Sequence, residues 1–221
     1  MSIRFASLRT LILLGGLLLA SACSAATPGT AAAPFTNGNQ YVTLPQPYQR
    51  YSKAGKVEVV EVFSYACIHC AEFAPYAEKL RKSLPPGVVF KLVPAPFNQY
   101  WLPFARAYYA ADKLGVVSRT HLKLFREKFF QHYPLNSLDD LADFYAREGV
   151  KRDEFLRIAN SPEATAAMKA DLALIQKWGV DGTPTIVVDG KYRSANVANY
   201  AQLVTLTHWL VKRELAAKGG K

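Results

Sequence analysis

"EVFSYACIHC" (61–70) decides how this chain is read. An apolar, β-branched run, "KVEVVEVF" (56–63), leads straight into Cys67 and Cys70, two residues apart, with His69 beside the second. The run has the composition of a strand covered on both faces. From Ile68 the period changes, and Phe73, Ala77, Leu80 and Leu84 recur at helical spacing until "PPG" (85–87) stops the helix. "VVFKLV" (88–93) is the next strand. Strand, helix and strand within about forty residues make a βαβ unit with parallel strands and a right-handed crossover.

Outward from this unit the character of the chain alternates. "QYVTL" (40–44) is a short strand that stops at Pro45. Residues 99–177 carry helical patterns only. "YWLPFARAYYAADKLG" and "THLKLFREKFFQHY" come first, and "SLDDLADFYAREG" follows with a serine cap at its start and a glycine at its end. "KRDEFLRIANS" and "SPEATAAMKADLALIQKWG" continue the block, with Pro162 in a first turn where its missing N–H does no harm. "TPTIVVDGKYRS" (183–194) predicts a hairpin around Asp189-Gly190, and an amphipathic helix is expected over 197–217. The expected architecture is α/β: a sheet domain split in sequence, 35–98 plus 178–218, interrupted by an all-helical insertion, 99–177. No internal repeat is present.

The N-terminus belongs to no core. Arg4 and Arg9 precede "LILLGGLLLA" (11–20), and small residues follow. A basic start, a short apolar middle and a small-residue cleavage region make residues 1–22 a secretory signal peptide, with cleavage near 26 as the alternative. The apolar run is too short to span a bilayer. "ASAC" (20–23) resembles a lipobox, with Ala20 where leucine is usual, so Cys23 is a candidate for lipidation; residues 23–36 are expected to be a flexible tether. The chain is therefore expected to be exported, either soluble or anchored through Cys23.

Half of the 221 residues are apolar, enough for a full core without staples. The net charge of +10 falls by two once Arg4 and Arg9 leave, and the remaining basic residues are interleaved with apolar ones. That is a solvated amphipathic surface; no nucleic-acid partner is expected, and only a mild attraction to anionic surfaces.

Without Cys23, only Cys67 and Cys70 remain, in a compartment where disulfides persist. A bond between them closes a very short loop and so gains little as a staple. A zinc site needs about four ligands, and His69, His121, His132 and His208 fall in no second metal-binding pattern. Redox exchange is the leading reading, with no metal and no cofactor beyond the cysteine pair. If the helix begins at Cys67, its sulfur meets unpaired N–H groups and the positive end of the helix dipole, which favour thiolate over thiol. His69 can add a donor or a positive charge near that sulfur. Cys70, one turn in, is expected to be buried and to resolve mixed disulfides formed at Cys67. A favoured thiolate favours the reduced state, so the disulfide oxidises other thiols.

Two further residues stand out. Glu61 puts a charge in a doubly covered strand, where its pKa should rise and where it can pass a proton to or from Cys70. Thr183-Pro184 opens a strand in a tightly shaped turn, with the proline at a tolerated position. Pro75 should kink the first helix, since it removes the bond to the carbonyl of Ala71.

"CIHC" with an acid six residues upstream and Pro75 downstream resembles the thioredoxin superfamily. "NGNQYVTL", "EVFSYACIHC", the helical insertion and "ADLALIQKWGVDGTPTIVVDGKYRS" together resemble the DsbA family of bacterial periplasmic thiol:disulfide oxidoreductases, over essentially all of the mature chain. The resemblance implies a thioredoxin-like fold, a central mixed sheet flanked by helices and split by a helical domain. It implies a cis Pro184 packed against the redox pair, with Thr183 and Pro184 presenting backbone to substrate. It further implies Cys67 as the exposed nucleophile, Cys70 as its resolving partner in a redox-active disulfide, and Glu61 as the buried acid. The implied partners are reduced exported proteins and a DsbB-type quinone-linked membrane oxidase. Ile68 stands where the best-known members have proline, and Thr183 where many have valine. Disulfide isomerase or reductase chemistry on the same fold is the alternative, and metal delivery a more distant one. Isomerases of that compartment resemble dimers with a separate N-terminal dimerisation domain, where only a tether is read here before the core, which counts against that alternative; a monomer is expected.

Overall fold

β2 (Val57–Phe63) is buried along its whole length, and the molecule is layered around it. The computed structural model describes residues 33–48, 51 and 55–219. The signal peptide, Cys23 and the tether up to residue 32 lie outside the described residues. At the C-terminal margin of the tether stretch, Phe35 is buried and meets the Trp209 ring at 5.7 Å between centroids.

β1 (Tyr41–Thr43), β2, β3 (Val88–Pro94), β4 (Thr185–Val188) and β5 (Tyr192–Ser194) form one mixed sheet in the order β1-β5-β4-β2-β3. β2 and β3 run parallel, as a crossover through α1 (Ile68–Ser83) demands, and all other pairs are antiparallel. The β4–β5 hairpin turns through Asp189 (φ 55°) and Gly190 (φ 61°). Positive φ at both central positions matches the right-handed strand twist. Period-two alternation sends Val57, Val59 and Glu61 to one face of β2, and Val60 and Val62 to the other. The first face meets Phe73 and Ala77 of α1 and Leu203, Leu206 and Leu210 of α7 (Tyr200–Gly219). The second meets Ile175 and Trp178.

Between β3 and β4 lie five helices: α2 (Leu102–Lys113), α3 (Val117–Phe125), α4 (Leu138–Arg147), α5 (Arg152–Ala159) and α6 (Pro162–Lys177). α4 starts on the expected Ser137 cap, which is a full capping box with Asp140. α2 and α6 pack on β3, and α3 packs on α1, which brings the insertion against the redox pair. Two boundaries differ from expectation. The helix expected through 120–133 widens after Phe125 into a π turn (Arg126–Phe130), closed by a Gln131 N–H bond to the Arg126 carbonyl at 2.9 Å. α7 begins at Tyr200 rather than 197, because the Asn199 side chain accepts from the Gln202 N–H and caps it there. Among the described residues, no helix is long and apolar enough to cross a membrane.

Candidate active site

Ser64 makes the turn that ends β2 and places Cys67. Its hydroxyl accepts from the Ala66 N–H at 3.1 Å and its carbonyl from the Cys67 N–H at 3.1 Å. Cys67 then caps α1 with extended backbone (φ −102°, ψ 117°) and no side-chain cap bond, so its sulfur is free to do other work. No acidic residue sits in the first turn of α1 to oppose a sulfur anion. The buried stripe Cys70, Phe73, Ala74, Ala77 and Leu80 fixes the roll of the helix and turns Cys70 inward, fully covered. Both cysteines are free thiols here, so the expected redox disulfide is in its reduced form.

β4 pairs with β2 through Val62 and Thr185, which carries the preceding residues to the end of β2 and hence to the cysteines. The Thr183-Pro184 bond is cis, and the Thr185 hydroxyl ties the loop to the Gly182 carbonyl at 2.8 Å. The Cys67 thiol donates to the Thr183 carbonyl at 3.4 Å. Cys67, Cys70 and Thr183 are thus brought together, with Pro184 next along the chain from Thr183.

The electrostatics are those of a site that holds an anionic sulfur. The Cys67 pKa falls from its ordinary 9.0 to about 5. The largest cause is the Cys70 thiol as hydrogen-bond donor; burial opposes it, and the Thr183 side chain and the backbone N–H groups of Cys70 and His69 add to it. Cys70 moves strongly the other way, first through burial and then through its bond to Cys67. One sulfur is made anionic by keeping the other protonated.

Two expectations need correction. Cys67 is not openly exposed: only 8% of its surface is accessible, because the Thr183 loop and Cys70 cover the sulfur. The His69 imidazole does not serve the sulfur either. Its Nδ1 lies 3.2 Å from Oε2 of Glu72, one turn along α1, and its side chain is 67% exposed. Only the backbone N–H of His69 supports Cys67. Helical geometry explains this, since residues three apart share a face.

Glu61 is fully buried opposite Leu92 and Ile186, and neither of its oxygens has a hydrogen-bond partner among the described residues. Its pKa rises to about 8, mainly by burial and secondarily by the charge of Cys67. Its own charge in turn raises Cys70 further, so the two groups are near neighbours electrostatically. A cavity of about 350 Å³ is lined by residues running from the exposed Leu122 to Glu61, past Ala74, Tyr108 and His121.

Sequence reasoning missed the aromatic buttress behind the pair. Tyr65 and His121 Nδ1 share a 3.0 Å hydrogen bond, and Phe63, Tyr108 and Phe125 pack edge-on around them. Burial lowers the His121 pKa to about 4, so it serves as a neutral partner that pins α3 to the active-site loop. Tyr200 and Glu72 were missed as well; no local signal links residues that far apart in sequence. Among the described residues, no group of three or more His, Cys, Asp or Glu could hold a metal ion.

Comparison with known proteins gives a consistent result. A family model described as thioredoxin matches residues 51–206. The thiol:disulfide interchange protein DsbA of Pseudomonas aeruginosa is 33% identical over 212 residues, covering 95% of this chain and 99% of that protein. The crystal structure of oxidoreductase DsbA from Xylella fastidiosa superposes with a TM-score of 0.78 at 40% identity, covering 82% of this chain and 98% of that one. The crystal structure of Pseudomonas aeruginosa DsbA gives 0.77 at 33% identity, covering 83% and 96%.

Proposed function

The chain belongs to the DsbA family of thiol:disulfide interchange proteins, and from that premise we propose that it donates the Cys67–Cys70 disulfide to reduced, exported proteins. It is a thiol:disulfide oxidoreductase on a thioredoxin-like fold with a helical insertion. The observation that carries the direction of exchange is the lowered Cys67 pKa, with donors converging on one sulfur. Every gain at the thiolate is a gain for the reduced state, so the disulfide is a strong oxidant.

In this reading a client thiolate attacks Cys67 Sγ of the oxidised pair. The client–Cys67 bond forms, the Cys67–Cys70 bond breaks, and Cys70 leaves as a thiolate that must take a proton. A second client thiolate then attacks the client sulfur of the mixed disulfide and expels Cys67. Two electrons have passed from client to pair, and Cys67 leaves readily because low-pKa thiols are good leaving groups. Thr183 and Pro184 present backbone to the client chain beside Cys67. Glu61, protonated at neutral pH by its raised pKa, supplies the proton to Cys70, and the cavity beside it lets that proton be replaced from solvent. Residues 35–98 and 178–218 form the redox domain, and 99–177 the insertion that braces it. A DsbB-type quinone-linked membrane oxidase re-forms the bond, no bound cofactor takes part, and the protein works as a monomer in the bacterial periplasm, free or held by a lipid on Cys23.

The test equilibrates purified protein in glutathione buffers and follows Cys67 alkylation against pH. An alkylation midpoint near pH 5 and a couple more oxidising than glutathione are expected. A reducing couple with an ordinary cysteine pKa overturns the assignment.

Glu61→Gln makes a separate prediction. Glu61 holds its proton more tightly folded (about 8) than at its ordinary 4.5. The folded protein therefore binds the extra proton across this window, and stability falls as pH rises from 4.5 to 8. At pH 7 the cost is roughly 3 kcal/mol. The glutamine variant should melt higher than wild type at pH 7, match it near pH 4, and turn over severalfold more slowly at neutral pH. An unchanged rate removes the proton role; an unchanged melting profile removes the buried-acid account.

A further inference from the structure

We infer that Glu72 and Tyr200 form a clasp that holds the His69 imidazole away from the Cys67 sulfur and so restrains the oxidising strength of the pair; this rests on the thiol-exchange reading above. His69 lies between the cysteines, where its imidazole could turn toward the sulfur or along the helix. It turns along the helix. Glu72 Oε2 takes up two groups at once, His69 Nδ1 at 3.2 Å and the Tyr200 hydroxyl, which donates at 2.7 Å. Tyr200 Oη also lies 3.5 Å from His69 Nδ1, so the three side chains close a triangle.

The triangle is anchored from outside. Tyr200 opens α7, far along the chain from α1, and its ring centroid sits 5.6 Å from that of Phe73 and 5.7 Å from that of Tyr76. A surface His–Glu pair by itself would hold weakly and exchange with water. Here the carboxylate is oriented by a hydroxyl whose ring is packed, and the Tyr200 hydrogen bond, with His69 second, keeps Glu72 below the usual carboxylate range. The groups facing the His69 imidazole are therefore Glu72 from its own helix and Tyr200 from α7.

The arrangement acts on Cys67 through the imidazole: a ring that could stabilise the thiolate is turned elsewhere. Thiolate stability sets oxidising strength, so the clasp keeps part of that strength in reserve. Glu72 and Tyr200 are positioning residues; neither touches the sulfur in this structure.

The experiment measures the Cys67 pKa by thiolate absorbance, and the equilibrium constant with glutathione, in wild type, His69→Ala, Glu72→Gln, Tyr200→Phe and the His69→Ala/Glu72→Gln double variant. Glu72→Gln should lower the Cys67 pKa by about 0.5–1 unit and shift the glutathione equilibrium roughly three- to tenfold toward the reduced protein. Tyr200→Phe, which keeps the ring packing, should do so by a smaller amount. His69→Ala should move the pKa by no more than about 0.3 unit with Glu72 present, yet abolish most of the drop when Glu72 is absent. The clasp is overturned if His69→Ala raises the Cys67 pKa equally in both backgrounds, or if the Glu72→Gln drop survives loss of the imidazole. A near-ordinary wild-type Cys67 pKa would count against the functional reading instead, and the difference between backgrounds still decides the clasp.

Discussion

Cys70→Ala turns the protein from a catalyst into a trap. Cys67 still exchanges with a client disulfide, forming a mixed disulfide and expelling a client thiolate, but no internal thiol remains to resolve it. With no Cys67–Cys70 disulfide to donate, turnover on a dithiol peptide should fall by at least a thousandfold; and because intramolecular attack by Cys70, with an effective molarity of about 10⁵ M or more, is gone, mixed disulfides through Cys67 should accumulate in exported-protein extracts. Cys67→Ala should lose turnover to the same extent and trap nothing. The structure adds a second consequence. The Cys70 thiol is the largest single support of the Cys67 thiolate. Removing it should raise the Cys67 pKa from about 5 toward the ordinary 9.0, and slow its alkylation at pH 6 by more than tenfold. Non-denaturing alkylation kinetics and non-reducing electrophoresis read the two effects separately. Recovery of no mixed disulfide would refute direct exchange, and unchanged alkylation would return the credit for the low pKa to the helix terminus alone.

Oxidation should weaken the fold. In the reduced protein Cys67 loses its proton at about pH 5 when folded but near 9.0 when unfolded. The folded pKa is depressed, so the unfolded chain binds more protons between those values and stability rises with pH through the window. The contribution vanishes as pH falls through about 5. At pH 7 it amounts to about 2–3 kcal/mol, and the sulfur's burial leaves little solvent to screen it. The disulfide has no charge to stabilise, and its loop is too short to constrain the unfolded chain much. The reduced form should melt about 5–10 °C above the oxidised form at pH 7, with the gap closing toward pH 5. Glu61 destabilises both forms as pH rises and largely cancels in the difference. An oxidised form that melts higher at pH 7 would reverse the inferred direction of electron flow.

The sheet and its insertion were legible because each signal was local. β2 followed from a near-continuous β-branched run, α1 from a switch to helical spacing, α4 from a serine cap, and the hairpin from Asp189-Gly190. The π turn after Phe125 was not legible, since its five-residue bond leaves the apolar spacing of a helix almost intact. At the site, Cys67, Cys70 and Glu61 could be named from spacing and from a charge in an apolar run. The role of His69 could not. Sequence places a histidine between two cysteines, but whether its ring meets a sulfur or a carboxylate depends on Tyr200, which reaches it only when α7 packs on α1.

By itself, the sequence determined the order of elements, the redox pair, its helix-terminal setting and the acid beneath it, because hydrophobic period, turn chemistry and cysteine spacing act over a few residues. Tertiary structure alone decided which groups share an electrostatic environment. It set the Thr183 loop over Cys67, made the Cys70 thiol its main donor, left Glu61 without a hydrogen-bond partner among the described residues, and drew His69 away. Those outcomes depend on distances of a few ångströms between residues up to 131 positions apart, which packing fixes and sequence separation does not encode.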